Sequence, residues 1–94
     1  MIIVWSPTAV GDLAHVRSYI AQHDPGAAAT VGRRIIESIE NLRRFPSMGR
    51  PGRVPHTREL VVTGTPFIVP YTVAENRIEI IAILSGARRW PPGG

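Results

Sequence analysis

The hydrophobic rhythm of the chain changes twice. The opening MIIVWS is a nearly continuous apolar run, the pattern of a short buried strand. It stops at Ser6, which can cap a helix, with Pro7 at the first helical position. Ala9, Leu13, Val16 and Ile20 then recur at spacings of four, three and four. AQHDPG breaks that helix, and Asp24 followed by Pro25 repeats the cap-then-proline start. In the second helix Ala28, Val31, Ile35, Ile39 and Leu42 carry the apolar stripe, while Arg33, Arg34, Glu37 and Glu40 lie largely off it. So short a link predicts an antiparallel helix hairpin. Gly11 and Gly32 lower helix propensity and are expected to let the two helices approach closely.

The second half alternates as strands do. RELVV, FIVPYTV and RIEIIAIL are rich in β-branched and aromatic residues and are separated by the turn signals TGTP and AENR, which predicts an antiparallel meander. Simple alternation puts Ile78, Ile80, Ala82 and Leu84 on one face of the last strand and Ile81 and Ile83 on the other. Both faces then need cover, and a single helix hairpin covers only one. Ile81 and Ile83 are therefore expected on an exposed apolar surface that takes a partner or the C-terminal tail. Pro70 removes a ladder donor from the middle strand, so a bulge or an unpaired position is expected there. The class is α+β in the order β-α-α-β-β-β, with the hairpin packed on one face of a mainly antiparallel, twisted sheet. One domain spans residues 1–94, with a fraying tail at 91–94.

Composition adds charge. All eleven basic residues are arginine, and the formal net charge is +4 with a sequence pI near 11.1. That suits an anionic partner, either a nucleic acid or an acidic protein segment. With no cysteine there is neither a disulfide framework nor a thiolate metal site, and an intracellular, cytoplasmic location is the simpler expectation. Three dispersed histidines make no ligand cluster, so neither metal nor organic cofactor is expected. No apolar run approaches the roughly 20 residues of a membrane span, so no membrane partner is expected.

Five of the arginines fall between Arg43 and Leu60, in RRFPSMGRPGRVPHTREL. Pro46, Gly49, Pro51, Gly52 and Pro55 oppose regular structure and predict an exposed, partly stiffened loop that carries Arg43, Arg44, Arg50 and Arg53. Strand alternation then places His56 and Arg58 on one side, with Thr57 and Glu59 on the other. The tail SGARRWP adds Arg88, Arg89 and Trp90, a pairing of cations with an aromatic that can hold phosphate and stack on a base. Trp90 has a second reading, as a cap on the apolar rear face of the sheet.

The order of these pieces resembles the RelE/ParE superfamily of small bacterial toxins. A first strand, a helix hairpin and a loop with FPSMGR lead to TREL, VPYTV, IEIIAIL and GARRWP, so the likeness runs from Val4 to Pro91. It implies the toxin of a type II toxin–antitoxin module, bound by a cognate antitoxin through an acidic, amphipathic segment along the sheet or in a groove beside the helices. The mode of toxicity divides within the superfamily. RelE-like members cut mRNA on the ribosome, which needs a proton acceptor, a proton donor and positive charge at the phosphate. By resemblance Arg58 matches the arginine that begins the second strand, Arg50 and Arg53 match basic loop residues, and Arg88 or Arg89 would add a phosphate contact. Yet the chain has no lysine, Ser85 stands near where many relatives carry histidine, and arginine hardly deprotonates, which leaves His56 as the acid–base candidate. ParE-like members bind DNA gyrase and need no acid–base pair, and on that branch Arg88, Arg89 and Trp90 would anchor the target. A non-toxic relic that keeps the fold and its antitoxin contacts is the alternative.

Overall fold

The computed structural model describes residues 1–86 and Trp90, so Arg88, Arg89 and the expected tail at 91–94 lie outside the described residues. Strand β1 (Ile2–Trp5) leads into helices α1 (Pro7–Ala21) and α2 (Pro25–Glu40), and a single 3-10 turn (Asn41–Arg43) follows. Then come β2 (Arg50–Pro51), β3 (Arg58–Val61), β4 (Phe67–Ala74), β5 (Arg77–Ile80) and β6 (Leu84–Ser85). Both helices start as their sequence signals imply. The Ser6 hydroxyl accepts from the Ala9 N–H at 2.9 Å, the Asp24 carboxylate accepts from the Ala27 N–H at 3.0 Å, and a proline follows each cap.

The sheet order is β1-β5-β4-β3-β2, with β6 continuing along the β5 side of β4. Only β1 runs parallel to its neighbour, with Ile3 opposite Ile78, and the other pairings are antiparallel. The helical stripe packs onto one face of this sheet. Ala9, Ile35, Ile39 and Leu42 meet Leu60, Val69, Tyr71 and Ile80 in the main core, and each is almost fully buried. Of the two helical glycines, Gly32 lies where a Cβ would meet the Arg17 guanidinium across the hairpin, whereas the space over Gly11 is open. The close approach expected at Gly11 is absent.

Pro70 shapes the sheet from within an unbroken strand. Tyr71 pairs with Ile80 and Ile68 pairs with Leu84, so Val69 and Pro70 face three residues, Ile81, Ala82 and Ile83. The irregularity expected at Pro70 therefore sits on the opposing strand, as a β-bulge of one extra residue. Its polar groups are met from α1 and its cap. The Pro70 carbonyl accepts from the Ile81 N–H at 3.0 Å, and the Ile81 carbonyl, which an N–H at position 70 would have served, accepts the Ser6 hydroxyl at 2.7 Å. The Ile83 N–H donates to Asp12 at 2.9 Å.

One extra residue reverses the facing of everything beyond it. Ile83 joins Ile78 and Ile80 in the main core, while Ala82 and Leu84 turn to the rear with Ile68. The single face expected for Ile78, Ile80, Ala82 and Leu84 is thus corrected. So is the exposure expected of Ile83, which is 2% accessible and has no free surface for a partner. Ile81 is half-buried, and Trp90 packs with it against the rear cluster, which is the capping alternative for that ring.

Candidate functional site: the arginine loop and the helix trough

The loop between α2 and β3 is tied down more firmly than its prolines and glycines suggest. Arg50 pairs with Glu59 and Pro51 with Arg58, so β2 makes a two-residue antiparallel strand where no regular strand is expected. At the far end of this hairpin, the Thr57 N–H donates to the Val54 carbonyl at 3.2 Å across Pro55 and His56. Proline at the second position and a φ of 66° at His56 describe a type II turn. His56 therefore occupies a backbone position that favours glycine, and its ring is exposed. It lines a shallow depression with Pro51, Thr57, Arg58 and Val73, so the strand alternation expected to set His56 and Arg58 opposite Thr57 does not hold, because β3 begins only at Arg58.

Glu59, given no role by its sequence context, is the electrostatic centre of the loop. Its side chain is 1% accessible, and three donors converge on it. Arg50 approaches Oε1 at 3.3 Å, and Arg53 reaches Oε2 through its guanidinium at 3.6 Å and its backbone N–H at 2.9 Å. A buried carboxylate needs such compensation, and here it takes up two of the arginines read as phosphate contacts.

Arg58 is engaged as well. Its guanidinium donates to the carbonyls of Gly49 at 2.8 Å and Ser47 at 3.3 Å. Beside it the buried Tyr71 hydroxyl donates to the Pro46 carbonyl and accepts from the Gly49 N–H, both at 2.8 Å. Burial raises the hydroxyl above its ordinary value of 10.0, and the Gly49 N–H and the Arg58 charge pull the other way. Gly49 must be glycine, because a Cβ there would lie 2.6 Å from the Tyr71 ring. Arg43 bonds Glu40 at 2.7 Å and the Met1 carbonyl at 2.8 Å, and Arg44 lies 5.7 Å over the Phe45 ring.

A second feature runs along the helix hairpin. One trough is lined by Arg17, Ser18, Ala21, Ala28, Ala29, Arg33, Ile36 and Glu37. It adjoins another lined by Trp5, Val10, Leu13 and Ala14, and the two share Arg17 and Ile36. Small side chains on both helices open the groove, and arginines rim it. The helical spacing of the small residues Ala14, Ser18 and Ala21 on α1, with Arg17 among them, was the available signal, one step round from the core stripe. Among the described residues, no group of three or more His, Cys, Asp or Glu side chains could hold a metal ion, and no helix is long and apolar enough to cross a membrane.

Comparison with known proteins converges on one family. The Y4kP protein of Sinorhizobium fredii is 38% identical over 95% of this chain and 92% of its own length. Toxin RelE2 of Caulobacter vibrioides is 35% identical over 92% of this chain and 96% of its own length. Among solved structures, the chromosomal ParDE toxin–antitoxin system from P. aeruginosa superposes with a TM-score of 0.79 at 29% identity, covering 88% of this chain and 92% of that one. The YoeB dimer from Staphylococcus aureus, at 19% identity and a TM-score of 0.59, shares the fold. The model of the ParE toxin of type II toxin–antitoxin systems, parDE, matches residues 3–90. On this match, in keeping with a helix hairpin packed on a six-stranded, mainly antiparallel sheet, the chain belongs to the ParE toxin family of type II toxin–antitoxin systems.

Proposed function

We propose that this toxin acts by binding DNA gyrase, in the ParE manner, rather than by cutting mRNA, and that its antitoxin lies along the trough of the helix hairpin. The observation that carries the first part is the engagement of the loop arginines. In-line attack by a 2′-hydroxyl needs mobile protons and cations free to meet the developing charge on phosphate. Arg50 and Arg53 share the carboxylate of Glu59, and one nitrogen of Arg58 is held by two carbonyls. His56, the remaining acid–base candidate, lies on an exposed turn with no hydrogen-bond partner that would orient it among the described residues. A toxin that occupies a protein target has no need of that chemistry. Arg88 and Arg89, which lie outside the described residues, supply charge to the target interface on this reading.

The trough supports the second part. An amphipathic segment can set apolar side chains over Ala21, Ala29 and Ile36 while a carboxylate meets Arg17, with Arg33 beside it loosely paired to Glu37 at 3.9 Å. The ParDE, and YoeB–YefM, structures that this chain resembles pair a toxin with an antitoxin, in keeping with such a partner.

The test is a pair of purified assays, supercoiling by gyrase and mRNA cleavage on translating ribosomes, with wild type, His56→Ala and Arg58→Ala. The expected result is inhibited supercoiling without cleavage, unaffected by His56→Ala. Cleavage lost on Arg58→Ala, with gyrase untouched, overturns the gyrase reading in favour of a nuclease. Inactivity of a folded protein in both assays, and in cells, identifies a relic.

A further inference from the structure

The loop exposes two large apolar side chains on a backbone that is held rigidly. Phe45 is 57% accessible and Met48 47%, and they flank Pro46 and Ser47 in an apolar concavity at the tip. Beneath them the Met48 N–H donates to the Phe45 carbonyl at 3.1 Å, closing the turn. Tyr71 and Arg58 together bind Pro46, Ser47 and Gly49 from below. The buried Tyr71 hydroxyl and the half-buried Arg58 guanidinium thus hold the turn that presents Phe45 and Met48 outward. A preorganised loop loses little conformational freedom on binding, which is what an interface anchor requires.

Charge and exposed apolar area together decide the class of partner. A nucleic acid would be tracked by free cations along its backbone. Around this tip Arg43 is paired with Glu40, Arg50 and Arg53 share the single carboxylate of Glu59, and Arg58 keeps its charge while one nitrogen bonds main-chain carbonyls. The surface therefore stays positive, and it is the exposed Phe45 and Met48 that make its acidic partner a protein. Arg44, over the Phe45 ring, is the cation that accompanies the apolar pair. One aromatic, one thioether and one guanidinium match a protein pocket that is apolar at its centre and bears a carboxylate at its rim.

We infer that Phe45 and Met48, with Arg44 beside them, anchor the toxin in an apolar, acid-rimmed pocket of its target protein, on a surface separate from the one that holds the antitoxin. This rests on the reading that the target is a protein. The helix trough supplies the antitoxin surface, and none of its lining residues belongs to the loop.

The experiment compares wild type with the double variant Phe45→Ala/Met48→Ala and with Arg44→Glu. Both target exposed side chains, and melting temperature checks that the fold is kept. Growth arrest on induction, affinity for the antitoxin encoded beside the toxin, gyrase inhibition and mRNA cleavage are measured. The double variant should need about tenfold or more toxin for the same arrest, as loss of an aromatic anchor does, with antitoxin affinity unchanged. Arg44→Glu should weaken arrest in the same direction, and Phe45→Tyr/Met48→Leu should restore it. Unchanged arrest in the double variant overturns the inference, as does a parallel loss of antitoxin affinity, which would make the tip an antitoxin contact. A loss seen only in mRNA cleavage overturns it in favour of an RNA site. If wild type arrests growth without touching gyrase, the gyrase reading falls, and the growth readout still decides the role of the tip. A wild type that arrests nothing overturns both.

Discussion

At the scale of single residues, Glu59 and Tyr71 explain why the arginine loop is a built surface and not a mobile connector. Replacing both Arg50 and Arg53 by alanine leaves a 1% accessible carboxylate with the Arg53 N–H as its remaining donor. A deeply buried pair broken in this way loses about 3–5 kcal/mol. Here the arginines are 54% and 41% exposed, and solvent screening reduces the expected loss to about 1–3 kcal/mol. Because each arginine covers for the other, either single change should be much milder than half the double, which a double-mutant cycle in denaturant will show. Glu59→Gln should do the opposite for ligand affinity, since it frees both guanidinium charges, and should raise retention on a polyanion column. Tyr71→Phe leaves the Pro46 carbonyl and the Gly49 N–H without their partner, at about 1–3 kcal/mol. Tyr71 also gives the wild type a signature in alkali. Its folded-state hydroxyl holds a proton that the unfolded chain loses from about pH 10, so this stability is complete below that pH and falls as pH rises towards the folded-state value. Melting curves above pH 10 should therefore fall more steeply for wild type than for Tyr71→Phe. None of this was visible in the one-dimensional pattern. The arginines were legible as a cluster, but not that Arg50 and Arg53 share a carboxylate on β3 that the loop folds back to reach.

At the scale of elements, the bulge opposite Pro70 couples the sheet to the start of α1. Ser6 caps the helix and also serves the Ile81 carbonyl, and Asp12 serves the Ile83 N–H. Ser6→Ala should therefore destabilise by about 1–2 kcal/mol, at the upper end of the range for a lost cap. Pro70→Val, which restores an N–H to β4, should recover part of that loss in the Ser6→Ala background and little in the wild type. Equal effects in both backgrounds would mean that Ser6 and position 70 do not share the Ile81 carbonyl. The two helices and their caps were legible because local signals coincide there, with serine or aspartate before proline and a continuous apolar stripe after it. The strands were legible as segments, since β-branched runs lie between turn signals. The facing of the last strand was not, because a bulge inserts one residue without a composition signal of its own. Pro70 marked the place but not the strand that would yield. The short strand β2 was hidden because proline and glycine argue against a strand, while an edge tolerates Pro51.

At the scale of the whole molecule, we propose different faces for neutralisation and toxicity, the trough of the helix hairpin and the loop tip beyond α2. The net charge of +4 favours an acidic antitoxin at either face, so charge alone does not tell the two apart. Side-chain size does, because the trough is lined by small side chains between the helices whereas the tip carries the large, exposed Phe45 and Met48. Ala29→Trp would fill the trough from an exposed position on α2 without disturbing the core. It should lower antitoxin affinity by about tenfold or more, as expected when a bulky ring occupies the pocket of an anchor. It should leave growth arrest by the free toxin as it is in wild type, so that cells carrying the antitoxin are no longer protected at the same antitoxin dose. Titration of antitoxin against purified toxin measures the first effect, and dose-controlled co-expression measures the second. If Ala29→Trp weakens arrest and neutralisation together, one surface serves both partners, and the antitoxin blocks toxicity by occupying the target's own site. If only neutralisation is lost, the antitoxin acts from the trough, by reaching across the toxin or by adding bulk that the target cannot accommodate.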